Sequence, residues 1–142
     1  MTFTSNHDIN SWHGHDAAHY GEAFRAMAVL AALLPGMPLV YSGQESGLHK
    51  QLQFFEKDPI DWGDFQHAAF YADLLKLKKM HPALRNGAEG GPVDIVDLDN
   101  PGVFRFQRQR DGRSVRVTVN LTPQTQMLEV ALAPWAYEIV VT

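Results

Sequence analysis

The apolar positions in the first half of the chain recur with the period of an α-helix. Between residues 19 and 34 they fall at spacings of three and four, which places them on one face of a helix. The members of this stripe are Tyr20, Phe24, Met27, Ala31 and Leu34. Further apolar residues flank the stripe, so we expect this helix to be buried on more than one side. Pro35 and Gly36 are expected to end it.

Two short segments flank this helix, and both predict strands of a buried parallel sheet. Residues 1–6 mix polar and apolar side chains, whereas residues 37–42 form a short apolar run of the kind that is buried on both faces. Pro38 lies near the start of the second run, where a missing backbone donor is tolerated. A polar and aromatic loop is expected over residues 43–63.

A second helix is predicted over residues 64–81. Asp64 is a candidate N-cap, and Pro82 is expected to end the helix. The expected inner face is formed by Phe70, Leu74 and Leu77. Three lysines fall in the last turns, where positive charge suits the helix dipole, and these are Lys76, Lys78 and Lys79.

Beyond residue 86 the apolar period becomes two, which is the period of a strand. The glycine-rich segment 86–92 is the clearest boundary in the chain, and it predicts one domain over residues 1–86 and another over 87–142. Asp111 and Gly112 predict a hairpin. Short strands without intervening helices are typical of an antiparallel β-sandwich. The predicted strands are residues 93–98, 103–108, 114–120, 127–132 and 136–141.

The order of these elements predicts part of a larger parallel fold followed by an all-β unit. Two strand–helix units do not make a stable domain, because a parallel sheet needs neighbours on both edges and helices over both faces. A (β/α)8 barrel that finishes with its last two units would give this order. The expected fold class is therefore an α/β fragment, with two parallel strands and two helices, followed by an antiparallel β-sandwich.

Composition narrows the classes of function. Of the 142 residues, 45% are hydrophobic and 20% are charged, which is typical of globular proteins. The net charge is −4 and Lys and Arg do not cluster, so neither nucleic acid nor an anionic membrane is an expected partner. The sequence contains no cysteine, and neither a signal peptide nor a membrane-spanning run is visible. These features do not indicate where the protein is located.

Candidate chemistry lies where the first predicted strand ends. Asn6, His7 and Asp8 place three polar groups at this point, and in a parallel α/β barrel that end faces the active site. A structural alternative is an Asx-type turn in which Asp8 or Asn10 caps a helix. Trp12 follows closely, and its ring could stack on a sugar or be buried against the neighbouring helix.

These residues carry a resemblance to a known family. The segment from Phe3 to Asp8 resembles the Phe-x-x-Asn-His-Asp segment of the α-amylase family, glycoside hydrolase family 13, at its seventh barrel strand. Residues 36–45 resemble the Gly-x-Pro-x-x-Tyr-x-Gly-x-Glu segment of its eighth strand, with one helix between the two. The second helix and the β segments resemble the end of that barrel and the small sandwich that follows it. The resemblance covers almost the whole chain.

The resemblance implies roles for individual residues. Asp8 matches the family's third carboxylate, a transition-state stabiliser that hydrogen-bonds sugar hydroxyls, and His7 matches a histidine that binds the same sugar ring. Trp12 is a candidate substrate-binding residue beside them. The parent enzyme is expected to act with retention on α-glucans such as starch and maltooligosaccharides, which are therefore the expected partners.

The resemblance also implies what this chain does not contain. Retaining glycosidases need a nucleophile and an acid/base carboxylate about 5–5.5 Å apart, and in this family both lie on earlier strands. No residue here matches either motif, so the chain alone is expected to be inactive. The family's usual calcium ligands also lie outside the chain, and no cofactor or metal is expected in it.

Two other groups of side chains have competing interpretations. Asp8 and Glu45 could form a substitute catalytic pair, but Glu45 is more simply explained as a residue that fixes its loop through hydrogen bonds. A histidine-rich segment could ligate zinc, although a solvated or sugar-facing loop fits its glycine better. Its candidate ligands are His13, His15, Asp16 and His19. The Phe54 and Phe55 pair and Trp62 are expected in a core or an interface.

A rival function is a non-catalytic structural or carbohydrate-binding module, in which the sandwich mediates contacts and the first half is an appendage. A third possibility is self-association, or pairing with the missing amino-terminal part. Exposed sheet edges and uncovered apolar helix faces would favour such pairing.

Overall fold

The computed structural model describes residues 1–96 and 98–142. Helices fill the first part of the chain and strands the second. The helices are α1 (His7–His13), α2 (Asp16–Tyr20), α3 (Phe24–Leu33) and α4 (Ala68–Met80). The strands are β1 (Val93–Val96), β2 (Val103–Arg110), β3 (Arg113–Asn120), β4 (Gln126–Met127), β5 (Ala131–Leu132) and β6 (Tyr137–Val141). Asp97, within the predicted strand 93–98, lies outside the described residues.

The two segments predicted as parallel strands lie side by side and run parallel, but they pair over one bridge. Thr2 bridges Pro38, the amide of Thr2 donates to the carbonyl of Met37 at 3.0 Å, and the amide of Leu39 donates to the carbonyl of Thr2 at 2.9 Å. A parallel pair without further neighbours gains little stability from pairing. The direction of the pair was therefore predicted correctly, and its length was overestimated.

The helix predicted over residues 19–34 is interrupted. Gly21 has a φ of 50°, a left-handed conformation that suits glycine, and it separates α2 from α3 by a 3-10 turn over Gly21–Ala23. The predicted apolar stripe is only half-buried, and the residues expected to flank it form the core instead. The buried residues of α3 are Ala26, Ala28, Val29, Ala32 and Leu33.

Helix α4 begins later than predicted. Its N-cap is His67, which makes no capping side-chain bond, so the assignment of Asp64 as the cap was wrong. Leu74 is buried, and Phe70 and Leu77 pack against the core as expected. Lys78 lies in the last turns of the helix, as predicted, and it is buried and donates to the carbonyl of Leu34 at 3.3 Å.

The second half forms an antiparallel sheet in the order β1-β2-β3-β6. The predicted hairpin is confirmed, because Asp111 and Gly112 join β2 to β3 with φ values of 52° and 74°, as a tight hairpin turn requires. The strand predicted over residues 127–132 is instead the small hairpin β4–β5. The turn of this hairpin is held against the sheet by Glu129, whose carboxylate accepts hydrogen bonds from both terminal nitrogens of Arg105 on β2, at 3.0 and 2.8 Å.

One face of this sheet packs on α3 and α4, so helices form the layer opposite it. The shared core contains Val29 and Leu33 from α3, Leu74 from α4, and Phe106 and Val117 from the sheet. The antiparallel part of the predicted fold is thus present. A full second sheet is not seen in the described residues, where the β4–β5 hairpin pairs over two residues a strand.

Arg108 joins the two halves of the molecule. Its side chain is 1% exposed and donates to the carbonyls of Gly91 at 3.0 Å, Leu33 at 3.2 Å and Arg85 at 2.9 Å. Burial lowers the pKa of this guanidinium below its usual value. The core and this residue both cross the predicted boundary at residues 86 and 87, and the division into two domains stays a prediction.

None of the helices in the described part of the chain combines the length and the apolar character that crossing a bilayer requires.

Candidate functional site

Helix α1 carries all three residues for which the sequence predicted a role. Asn6 is its N-cap, in an extended conformation, and its side-chain oxygen accepts a hydrogen bond from the amide of Ile9 at 2.8 Å. The alternative in which Asp8 or Asn10 provides the cap is therefore wrong. Asp8 lies in the first turn of α1, where its negative charge suits the helix dipole.

His7 and Asp8 are neighbours with open side chains. The Nε2 atom of His7 lies 3.5 Å from Oδ1 of Asp8, and the two side chains are 66% and 58% exposed. Exposed groups of this kind keep their hydrogen-bonding capacity available to a ligand. The arrangement can offer one donor ring and one acceptor carboxylate to adjacent hydroxyl groups.

Trp12 is exposed rather than buried, at 57%, so the alternative of burial against a helix was wrong. Its ring centroid lies 5.4 Å from that of Phe54 and 6.2 Å from that of Phe55, and the ring of His7 lies 5.9 Å from Phe54. These four rings form what we call the aromatic platform. It lies beside Asp8 and faces solvent.

Phe54, Phe55 and Trp62 were expected in a core or an interface, and their exposure excludes the core while the interface stays a prediction. Phe54 and Phe55 are 41% and 81% exposed, so neither belongs to a core of this chain, and Trp62 is also 40% exposed. The available signal was an aromatic pair inside an otherwise polar loop. An exposed cluster of large apolar side chains is typical of a binding surface.

Hydrogen bonds between α1 and the loop of residues 43–63 hold the aromatic platform together. The side chain of Asn10 donates to the carbonyl of Lys50 at 3.1 Å and accepts from the amide of Leu52 at 2.8 Å. The Gln51 side chain donates to the carbonyl of Ser11 at 2.6 Å. Because Asn10 is buried, these bonds fix the loop against the helix that carries Trp12.

Glu45 has the structural role that the sequence favoured. Its Oε2 atom accepts a hydrogen bond from the amide of Gly43 at 2.9 Å. That bond ties the carboxylate to its own loop, at a turn where Gly43 has a φ of 99°.

The histidine-rich segment does not assemble a metal site in the part of the chain that the structure describes, where no three His, Asp or Glu side chains converge. Asp16 instead accepts hydrogen bonds from Thr4, at 3.2 Å, and from the side chain of Gln44. His13 and His19 are exposed. Asp16 therefore links α2 to the first parallel segment, through Thr4, and to the loop just after the second, through Gln44.

Comparison with known proteins gives consistent matches, although no protein-family model matches the chain. Alpha-amylase 2 of Dictyoglomus thermophilum is 28% identical over 145 residues, which is 92% of this chain and 24% of that protein. Alpha-amylase MalA of Haloarcula japonica is 30% identical over 125 residues, which is 84% of this chain and 18% of that protein. The chain thus spans a quarter or less of the curated relatives that it matches.

Solved structures match the fold over the same extent. The maltogenic amylase from S. marinus superposes with a TM-score of 0.77 and 18% identity, over 98% of this chain and 22% of that one. A variant of AmyP in complex with maltotriose superposes with a TM-score of 0.60 and 14% identity, over 82% of this chain and 34% of that one. At such identities the likeness concerns the fold.

Proposed function

Because this chain belongs to the α-amylase family and matches the carboxyl-terminal region of its members, we propose that it forms part of the α-glucan site of a retaining glycoside hydrolase. The observation that carries the proposal is the placement of Asp8 and His7, side by side and exposed, next to the aromatic platform.

The fold supports a more specific assignment, in which the first part of the chain is the end of a barrel. The bridge between Thr2 and Pro38 joins two parallel segments near their starts. Each segment is followed along the chain by a helix, α3 or α4, that packs on the shared core. These units are proposed to be the last two strand–helix units of a (β/α)8 barrel, in which the carboxyl edge of the strands bears the site. The antiparallel sheet is then the domain that follows the barrel.

The chemistry of the site fits a sugar. A carboxylate at Asp8 accepts hydrogen bonds from hydroxyls and stabilises positive charge that develops on the adjacent ring in the transition state. His7 adds hydrogen bonds to the same hydroxyls. The ring of Trp12, supported by Phe54, offers an apolar face to the C–H face of a pyranose.

Hydrolysis needs residues beyond these. Two carboxylates about 5–5.5 Å apart carry retaining chemistry, whereas Glu45 is engaged by its own loop and Asp8 has the stabilising role. The nucleophile and the acid/base are therefore proposed to lie on the part of the parent enzyme that this chain does not span. Calcium, if the parent binds it, is assigned to that part as well.

The test is a titration of the 142-residue chain with maltotriose and longer maltooligosaccharides, by calorimetry. We expect weak binding that Asp8→Asn weakens by about tenfold to a hundredfold, since a hydrogen bond to a charged group contributes about 1.5–3 kcal/mol. Trp12→Ala is expected to act in the same direction. Asp111→Asn, the same isosteric change at the remote β2–β3 turn, is the matched control.

Two results would contradict the proposal. Affinity that is unchanged by Asp8→Asn, or no binding at all, would favour the rival function of a structural module. Release of reducing sugar from starch by the purified chain, at enzyme-like rates and free of contaminating amylase, would show that the missing carboxylates are not needed.

A further inference from the structure

A cavity of about 600 Å³ lies between α2, the loop of residues 41–49 and the first turns of α4. Its volume falls within the range of roughly 300–1,000 Å³ that is usual for small-molecule sites. Its walls do not include His7, Asp8 or Trp12. The cavity is therefore lined by other side chains than those proposed to contact the glucan.

Several residues that line this cavity carry a buried polar atom without a hydrogen-bond partner in the described part of the chain. These atoms are Ser5 Oγ, His15 Nδ1, Asp16 Oδ1, His67 Nδ1 and the Tyr71 hydroxyl. Ser5 is 2% exposed and Tyr71 is 7% exposed. An unpaired buried polar group loses its hydration without compensation, and native proteins rarely gather several of them in one place. The wall is therefore suited to a polar occupant.

The groups on the wall are matched to a neutral ligand. Two carboxylates, those of Asp16 and Glu22, and one guanidinium, that of Arg25, line the cavity, and the small excess of negative charge disfavours an anionic ligand. Burial, and then the charge of Arg25, lowers the pKa of His67 and keeps its ring neutral at neutral pH. Burial, with the nearby carboxylates of Asp16 and Glu45, raises the pKa of the Tyr71 hydroxyl, which stays protonated.

Hydroxyls and neutral imidazoles both donate and accept hydrogen bonds, as the hydroxyls of a sugar or polyol do. The rings of Phe24 and Tyr41 also line the cavity, and the ring of Phe24 lies 4.7 Å from that of His67. Aromatic faces beside unpaired hydrogen-bond donors and acceptors are complementary to a pyranose, which has C–H faces and hydroxyl edges.

We propose that this cavity is a second, non-catalytic binding site for a neutral polyhydroxylated ligand of one or two sugar units. The lining residues named here do not include Asp8. It goes beyond the proposed function, which concerns the exposed site on α1.

Tyr71→Phe tests this site because it removes one oxygen and keeps the ring. Thermal unfolding would be followed with increasing glucose or maltose, since a ligand that binds the folded chain raises its melting temperature with concentration. We expect the wild-type chain to show this rise, and Tyr71→Phe to need about tenfold more sugar for the same rise. Without sugar the variant should melt at or above the wild-type temperature, because it loses an unpaired buried group.

Two controls separate this site from the one on α1. Tyr137→Phe makes the same change on β6, outside the cavity, and should leave the sugar response unchanged. Asp8→Asn should leave maltose-induced amide shifts of Phe24 and Tyr71 in place in NMR spectra. Equal sugar responses in wild type and Tyr71→Phe, or a crystal soaked in maltose that holds only water in the cavity, would overturn the inference. A response lost in Asp8→Asn but kept in Tyr71→Phe would overturn it while leaving the proposed function intact.

Discussion

Lys78 shows how a single residue can depart from its pattern. It lies in the last turns of α4, where its charge suits the helix dipole, yet it is only 8% exposed and donates to the carbonyl of Leu34 at 3.3 Å. Burial, together with the charge of Arg108, lowers the pKa of Lys78 to about 8. The carbonyl that it contacts lies 44 positions away in the sequence, so periodicity within α4 could not predict its burial.

This pKa predicts a dependence of stability on pH. The folded value of about 8 lies below the usual value of 10.5, so between these values the unfolded chain binds more protons and the free energy of unfolding rises with pH. Relative to Lys78→Met, the wild type should gain about 1–3 kcal/mol over this window and nothing below it. Urea unfolding at about pH 7.5 and about pH 9.5 measures the difference.

Lys79→Met is the matched control, because Lys79 is exposed beside Lys78. The difference between this variant and the wild type should not change over the same range. If the two pH values gave the same difference between wild type and Lys78→Met, the lysine would titrate alike in the folded and unfolded chains, and the assignment would be wrong.

Among the elements, α1 matters most for function because it presents His7, Asp8 and Trp12 together. It has seven residues, and a helix of that length is not stable alone in water. The Asn6 cap and the bonds from Asn10 to the loop therefore keep it folded. Neither was recognised in the sequence, because the Asn-His-Asp segment was interpreted through its possible chemistry.

Asn6→Ala should weaken glucan binding without touching a sugar-contacting side chain. Loss of the cap lowers helix stability by about 0.5–2 kcal/mol. Helix α1 would then partly unfold, and His7, Asp8 and Trp12 would lose their common orientation. Asn6→Ser should restore binding, since serine also caps. Calorimetric titration with maltotriose measures the affinity, and NMR amide shifts of residues 7–13 report on the helix.

Asn100→Ala serves as a comparison, because Asn100 caps the amide of Gly102 at 3.0 Å in a turn of the β region. It should lower stability and leave glucan affinity unchanged. Intact α1 shifts in Asn6→Ala, combined with weaker binding, would mean that Asn6 contacts the sugar directly and is not a positioning residue.

Elements defined by local chemistry were the ones that could be predicted. The Asp111 and Gly112 turn depends on two adjacent residues, and it formed as expected. Residues 127–132, predicted as one strand, instead form part of a hairpin. Its turn contains Glu129, whose partner Arg105 lies 24 positions away. Phe54 and Phe55 are exposed, so the core alternative was wrong and the interface alternative stays a prediction. Hydrogen bonds between distant parts of the chain hold their loop against α1. Long-range pairing of this kind leaves little trace in a hydrophobic pattern.

At the scale of the whole molecule, the helices and the sheet share one core. Val29 and Leu33 pack in the same cluster as Phe106, Val117 and Val119, although the sequence predicts a domain boundary between them. The glycine-rich segment did indicate correctly where the hydrophobic period changes. It could not indicate whether the faces on either side of it pack together.

Val117→Ala should therefore destabilise both halves equally. Removing two buried methyl groups from this 0% exposed side chain costs about 2 kcal/mol. Amide hydrogen exchange should show the same loss of protection in α3 and α4 as in β2 and β3. Val141→Ala, at a 46% exposed position on β6, is the matched control. Loss of protection confined to the sheet would show that the halves unfold independently.

Arg108 has a consequence for how this polypeptide tolerates a break in its backbone. Its guanidinium donates to the carbonyls of Leu33 and Arg85, which precede the glycine-rich segment, and of Gly91 within it. Arg108 itself follows that segment, so these bonds connect the two sides. After a protease cut at residue 88, the two pieces would stay associated through the hydrogen bonds of Arg108 and the shared hydrophobic core. Exchanging either piece alone between proteins would expose the other, because each contributes residues to the one shared core.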